Sequence, residues 1–177
     1  MKSEPQCFSI EHLAQAPRQT TCWSGVRNYQ ARNFMRDGMK LGDGVLYYHS
    51  SVAPPAIVGT CKVVRAAYGD HTALDEQDDH YDPKATQDNP IWMMVDLELD
   101  EIFAAPLPLD ALRSVPALKN MELLKRGSRL SVQPVSAAEY AAILQMAQAA
   151  KSLAVKSPAV AAKITSRAGQ RKAAGGK

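Results

Sequence analysis

The feature that most constrains this chain is the stretch of residues 22–33, which runs Cys-Trp-Ser-Gly-Val-Arg-Asn-Tyr-Gln-Ala-Arg-Asn. A hydrophobic core does not need this mixture, because Arg and Asn cost free energy when they are buried without partners. A site for a flat polar ligand does use it. Aromatic faces stack on bases, amide groups read their edges, and guanidinium groups bind phosphate. The stretch therefore indicates a binding site.

Local signals predict the backbone of this stretch. Asn28 is a good helix N-cap, and Gly38 can end the helix that follows. We predict a tight turn that delivers Trp23 to the site, followed by a helix from Tyr29 whose N-terminal dipole favours an anion. Composition alone favours an ordinary core position for Trp23 and only a capping role for Asn28.

Charge is distributed unevenly along the 177 residues. Residues 1–150 hold 14 Lys and Arg against 18 Asp and Glu, whereas residues 151–177 hold 7 basic residues and no acidic one. The end of the chain also has no aromatic residue and too few apolar residues to offset the cost of ordering. We therefore predict one domain over residues 1–149 and a basic, disordered tail over 150–177. Such tails contact nucleic acid without sequence preference.

The cysteines and the hydropathy pattern bear on location and cofactors. Cys7, Cys22 and Cys61 have no metal-binding or redox spacing, and an odd number of cysteines without a secretory signal fits a reducing compartment. No apolar run approaches the ~20 residues of a membrane span. We expect a cytoplasmic monomer with no metal, no cofactor and no membrane partner.

Periodicity and breakers predict the remaining elements. Ser9 should cap a short helix, and Ser136 with Glu139 forms a capping box for the last one. Pro106 and Pro108 mark a connection, and the acidic stretch 70–89 reads as a long loop. The predicted helices are 10–16, 109–114, 116–121 and the one after 136. The predicted strands are 45–50, 57–67 (antiparallel to the first), 92–99 and 130–133.

Several blocks of this sequence together resemble one family. The run at 23–33 is similar to the signature of the EVE domain. The other blocks are Met-Lys-Ser-Glu-Pro at 1–5, Tyr-Tyr-His-Ser at 47–50, Pro-Ala-Ile-Val-Gly at 55–59, Tyr-Asp-Pro-Lys at 81–84 and Arg-Gly-Ser-Arg-Leu-Ser-Val-Gln-Pro-Val at 126–135. The resemblance implies an α+β fold, a small, partly closed β-barrel of the PUA-like type with peripheral helices. It also implies non-catalytic recognition of a modified nucleobase in DNA or RNA.

The resemblance and the residue chemistry together predict the site. In the related YTH domains, the tryptophan matching Trp23 is one wall of a cage for a methylated base; Trp92 is the candidate second wall, and Tyr81 is expected to fold over the ligand. The predicted base pocket comprises Ser3, Trp23, Ser24, Gly25, Val26, Asn28, Tyr29, His49, Ser50, Tyr81 and Trp92. The predicted phosphate ligands are Arg27, Arg126, Ser128 and Arg129, with a surface ion pair an equally good interpretation for Arg27.

Two other functions stay open at this point. His49 and Ser50 cannot act as a catalytic pair, because neighbouring strand residues face opposite ways. An amidohydrolase acting on an acylated nucleoside would need a Lys, Thr or Glu with a perturbed pKa, and Lys2 and Glu4 are the candidates. A plain RNA-binding module driven by the basic tail would bind in a salt-sensitive way that ignores base modification.

Overall fold

The computed structural model describes residues 1–156, in which five strands form one mixed sheet. The strand order is β1-β3-β4-β5-β2, with β1 parallel to β3 and all other neighbours antiparallel. The strands are β1 (Lys2–Ser3), β2 (Thr20–Trp23), β3 (Gly44–His49), β4 (Ala56–Gly69) and β5 (Met93–Pro108). The α-helices are α1 (Ile10–Gln15), α2 (Tyr29–Asn33), α3 (Leu109–Arg113) and α4 (Ala137–Lys156).

The helix ends form where the sequence predicts them. The Ser9 side chain accepts a hydrogen bond from the backbone N–H of His12 at the start of α1, and Asn28 accepts from Ala31 at the start of α2. A π-helical turn, Phe34–Gly38, continues α2 to the predicted glycine. The Ser136 and Glu139 capping box precedes α4. The structure confirms these predictions. The sequence could predict the caps because capping depends on residues that are three positions apart.

The sheet separates two cores because successive strand residues point to opposite faces. In β3, Val45 and Tyr47 pack with α1 and α2 on one face, whereas Leu46 and Tyr48 pack with α3 and α4 on the other. Gly59 brings β5 close: a Cβ there would lie 2.2 Å from the Glu101 carbonyl oxygen. The sequence-predicted antiparallel pairing of β3 with β4 is confirmed.

The structure differs from the predicted strands at three places. The structure has a strand at β2 that local periodicity did not indicate, and it has no strand over 130–133. Strand β5 continues through Pro106 to Pro108 instead of ending before them. The prolines are tolerated because β2 pairs only with residues 95–98 of β5, so the second half of β5 has β4 as its one strand neighbour in the described sheet.

The fold is α+β as predicted, but closure of the sheet into a partial barrel is not confirmed. Strands β1 and β2 are the two edges of the sheet and do not pair with each other. Helix α4 runs to Lys156 and so passes the domain boundary predicted at residue 149. Of the disordered tail predicted over residues 150–177, residues 150–156 belong to α4, and residues 157–177 lie outside the described residues. Among residues 1–156, no helix is long and apolar enough to cross a membrane.

Candidate nucleic-acid site

The turn after Trp23 is shaped by Gly25. This glycine has a φ of 76°, a conformation that other residues rarely adopt. A Cβ at this position would also meet the His80 ring at 2.9 Å. Ser24 lies at the surface of the turn and is partly exposed. The turn therefore requires glycine both for its backbone angle and for the close approach of the loop that carries His80.

Trp23 belongs to the core on the α1 and α2 face of the sheet. Only 8% of the residue is exposed, and its ring meets the Tyr47 ring edge-on, with centroids 5.5 Å apart and planes at 84°. Val26, three residues on, is buried in the same cluster. The indole face that was expected to stand open is therefore packed, and Val26 serves the core rather than a ligand. The physical reason is that β2 is a sheet strand, which directs Trp23 inward.

Arg27 is held by a buried carboxylate. Its Nη1 atom donates to Asp70 Oδ2 at 2.7 Å, its Nη2 atom to the Thr72 hydroxyl at 3.0 Å, and its Nε atom to the His80 carbonyl oxygen at 2.6 Å. The Asp70 side chain is completely buried. Because every guanidinium nitrogen already has a protein acceptor, the structure favours the ion-pair interpretation of Arg27 over phosphate binding.

Asp70 joins the turn, the arginine and the acidic loop. It accepts from the Gly25 N–H at 2.8 Å, and its Oδ1 atom accepts from both the backbone N–H and the hydroxyl of Thr72. Burial by itself would raise the pKa of Asp70, but the hydrogen bonds from Arg27, Thr72 and Gly25 outweigh it and hold the pKa below its ordinary value. Asp70 was missed from the sequence, although Asp followed two residues later by Thr is a recognisable side-chain capping pattern.

Trp92 and Tyr29 form a second aromatic group, apart from Trp23. Their ring centroids lie 4.8 Å apart with planes at 31°, and Trp92 Nε1 donates to Asp82 Oδ2 at 2.7 Å. Trp92 packs with Ala73 and Ala85 in a cluster of its own. The structure thus does not bring Trp92 beside Trp23 as a second cage wall. Instead Trp92 fixes the acidic loop against the start of α2.

His49 was predicted to bind a base edge, but its ring faces the protein. Its Nε2 atom accepts the Ile10 N–H at 3.1 Å, and the residue is buried. Burial lowers the pKa of His49 from its ordinary value, although Glu11 acts in the opposite direction. A neutral ring with a proton on Nδ1 satisfies this hydrogen bond. His49 therefore anchors α1 to the sheet.

The edge of the sheet at β1 brings several predicted residues together. Ser50 donates its N–H to the Ser3 carbonyl oxygen at 2.9 Å, and the Ser3 hydroxyl donates to the Phe8 carbonyl oxygen. That oxygen also accepts from the Tyr47 hydroxyl, whose ring touches Trp23. Ser3, Ser50 and Trp23 are therefore linked through Tyr47 and Phe8.

The basic turn at 126–129 joins the same edge. Lys2 donates its backbone N–H to the Ser131 carbonyl oxygen at 2.8 Å and its Nζ to the Ser128 carbonyl oxygen at 3.2 Å. Arg126 and Arg129 are exposed and have no ion-pair partner among residues 1–156. We call the surface formed by Lys2, Ser3, Ser50, Ser128 and Arg129 the β1 surface. It carries the positive charge that a phosphate ligand needs.

The two residues considered for catalysis, Lys2 and Glu4, each have another hydrogen-bond partner. Burial lowers the pKa of Lys2, with Glu122 acting in the opposite direction, but its amine already donates to Ser128. Glu4 is exposed and accepts a hydrogen bond from the Ser51 hydroxyl. Within the described residues, no group of three or more His, Cys, Asp or Glu side chains could hold a metal ion.

A groove of about 550 Å³ lies elsewhere, between the end of the α2 region and the segment before α4. None of the residues predicted to bind a base or a phosphate lines it; the lining residues are Met1, Phe34, Gly38, Met39, Asp43, Gly44, Val45, Leu46, Val132, Gln133, Pro134, Val135, Ala137 and Tyr140. This groove is therefore not the predicted base pocket.

The family follows from comparison with known proteins. The EVE domain model matches residues 1–146, and the chain belongs to the EVE domain family. Human thymocyte nuclear protein 1 is 44% identical over 163 residues, which cover 82% of this chain and 72% of that protein. The EVE resemblance seen in the sequence is confirmed.

Solved structures agree with this assignment. A hypothetical protein from Leishmania major is 48% identical with a TM-score of 0.79, covering 85% of this chain and 94% of that one. Human THYN1 protein, solved in complex with 5-methylcytosine containing DNA, is 44% identical with a TM-score of 0.78, covering 83% and 95%.

One prediction is overturned by the relatives. The human, rat and mouse proteins are all named thymocyte nuclear protein 1. These names point to the nucleus, so the prediction of a cytoplasmic location is wrong. An odd cysteine count fits any reducing compartment, including the nucleus, and so did not distinguish the two.

Proposed function

We propose that this protein is a non-catalytic reader of a modified base in DNA. The observation that carries the proposal is the 44% identity to human THYN1 protein, whose structure was solved with 5-methylcytosine containing DNA. This similarity covers 83% of this chain. The EVE family match over residues 1–146 includes every residue of the β1 surface. A methylated cytosine is thus the first ligand to test.

The β1 surface supplies a chemically suitable place for such a base. Ser3 and Ser50 lie on this surface and Ser24 lies on the turn after Trp23, and hydroxyl and backbone groups of serine can pair with the edge of a base. Trp23 is proposed to support the pocket from the core through its contact with Tyr47. Gly25 and Asn28 shape the turn, and Tyr81 lies on the facing loop with 37% of its surface exposed.

Phosphate binding is assigned to the basic turn. Arg126 and Arg129 are exposed, and Gly127 between them has a φ of 81°, which produces a tight turn whose backbone N–H groups can also approach an anion. The Ser128 carbonyl oxygen is tied to Lys2, so the turn is held against the β1 surface. Phosphate contacts position a strand but do not read its sequence.

The test compares binding with catalysis on one preparation. The protein is titrated with a short DNA duplex carrying one 5-methylcytosine, and the same preparation is incubated with an acylated cytidine. The proposal expects saturable binding and no deacylation. Repeated deacylation of the acylated nucleoside by the wild-type protein, which is lost in Lys2→Ala, would instead support the amidohydrolase alternative.

A further inference from the structure

Tyr29 is an aromatic side chain presented to solvent on a rigid support. It is 59% exposed, whereas its inner side meets the Trp92 ring at 4.8 Å. Trp92 is in turn fixed by the hydrogen bond from its Nε1 atom to Asp82. Exposed tyrosines normally move freely, but this ring is backed by a second aromatic that the loop holds in place. It is therefore already in position to stack on a flat partner.

A second exposed aromatic lies on the same part of the surface. The Arg27 guanidinium lies 5.4 Å from the centre of the Trp92 ring and donates to the carbonyl oxygen of His80, the neighbour of Tyr81. Arg27 therefore links Trp92, which supports Tyr29, to the loop segment that carries Tyr81, the predicted cover of the base pocket.

The groups around Tyr29 are suited to the face of a base. Arg27 is paired with Asp70, and the Arg32 guanidinium lies 5.1 Å from the centre of the Tyr29 ring while its Nη1 atom donates to the Ile91 carbonyl oxygen. The adjoining loop is acidic, with Asp78 and Asp82 nearby in the chain. Carboxylates repel a phosphate group but not the face of a base, and base stacking on an aromatic is largely indifferent to base identity.

We propose that Tyr29 is a stacking platform for the unpaired nucleobase next to the modified one, with Trp92 as its support. This inference rests on the proposed function, since it presupposes a nucleic-acid strand at the β1 surface. The strand's phosphates run toward Arg126 and Arg129, and the neighbouring base leaves its stack to lie on Tyr29. The preferred substrate is consequently a strand in which two successive bases are unpaired.

The experiment is a cycle that combines Tyr29 variants with abasic oligonucleotides. Wild type, Tyr29→Ala and the ring-retaining control Tyr29→Phe are titrated with single strands carrying one 5-methylcytosine. Each strand has either all its bases or one abasic position directly 5′ or 3′ of the modified base. Tyr29→Leu keeps an apolar cover over Trp92, and melting curves check that every variant is folded.

A platform predicts a loss of about 5- to 150-fold in affinity for Tyr29→Ala and Tyr29→Leu on the complete strand, and none for Tyr29→Phe. On one of the two abasic strands, the loss on replacing Tyr29 should disappear. An equal loss on complete and abasic strands, or wild-type affinity in Tyr29→Ala, would overturn the platform. If the wild-type protein binds modified and unmodified strands equally, only the proposed recognition of a modified base is overturned, because the effect of replacing Tyr29 can still be measured on unmodified strands. If the protein binds neither strand, both proposals are overturned.

Discussion

Arg27 and Asp70 form a buried ion pair that holds the turn after Trp23 in place. Arg27 Nη1 lies 2.7 Å from Asp70 Oδ2, and the same oxygen accepts the Gly25 N–H. The pair joins residues 43 positions apart, from the signature stretch and from the start of the acidic loop. Arg27 of the signature stretch is therefore a structural brace for the site, whereas Arg126 and Arg129 on the basic turn have no ion-pair partner among residues 1–156.

Removing Arg27 should destabilise the fold. Arg27→Ala leaves the Asp70 carboxylate buried without its cation, and loss of one partner of a buried pair costs about 3 kcal/mol or more. Arg36→Ala is the matched control, since Arg36 pairs with Asp37 on the surface, where a pair is worth at most ~1 kcal/mol. Denaturant unfolding measures both free energies. If Arg27→Ala and Arg36→Ala are equally stable and only Arg27→Ala binds DNA more weakly, Arg27 is a phosphate ligand rather than a structural brace.

His49 predicts how stability depends on pH. Its pKa in the folded protein lies below the ordinary value of about 6.5, so the unfolded chain binds the proton more readily. The stabilisation is fully present above pH ~6.5 and is lost as the pH falls through the lower folded pKa. His49→Gln should reduce the change in the free energy of unfolding with pH over this range, whereas the exposed control His71→Gln should leave that change as it is in the wild type. An unchanged pH slope in His49→Gln would mean that the ring is not buried in its neutral form.

Trp23 should matter more for folding than for binding. Truncating a packed tryptophan to alanine costs ~3–5 kcal/mol, so Trp23→Ala should lower the melting temperature sharply. Trp23→Phe keeps an aromatic against Tyr47 and should fold with a smaller loss of stability. If Trp23→Ala melts like the wild type, the ring is not part of the core, and the open cage wall first expected from the sequence is the better description.

Arg129 should contribute to affinity but not to discrimination. Its proposed partner is a phosphate, which modified and unmodified DNA share. Arg129→Ala should weaken both equally and reduce the slope of log affinity against log salt by about one. Arg113→Ala serves as control, because Arg113 pairs with Asp110 on α3. A loss confined to the modified duplex would mean that Arg129 contacts the base itself.

The sequence predicted those features that depend on neighbouring residues. The caps at Ser9, Asn28 and Ser136 lie within three positions of their partners, and the strands β3 and β4 are strongly apolar. Strand β2 could not be predicted in this way. Its four residues, Thr-Thr-Cys-Trp, show no clear alternation, and they form a strand because β5 offers a pairing edge about 75 positions away.

The candidate site was predicted less completely than the fold. The sequence predicts an acidic loop over residues 70–89. In the structure the Asp70 side chain is buried and pairs with Arg27, and Asp82 accepts a hydrogen bond from Trp92. No local sequence pattern connects these partners. Residue type alone could not separate the braced Arg27 from the exposed Arg129, because the difference lies in a tertiary contact.

The most direct test of this account is the ratio of affinities for two DNA duplexes that differ only in one 5-methylcytosine. It is measured at several fixed salt concentrations, for the full chain and for a chain without residues 157–177. A methyl group read by a close-fitting pocket is worth ~1–3 kcal/mol. We therefore predict roughly tenfold or tighter binding of the modified duplex, in both chains and at every salt concentration. Equal affinities for the two duplexes, with binding that vanishes when residues 157–177 are removed, would contradict it and favour a plain nucleic-acid-binding module driven by the tail.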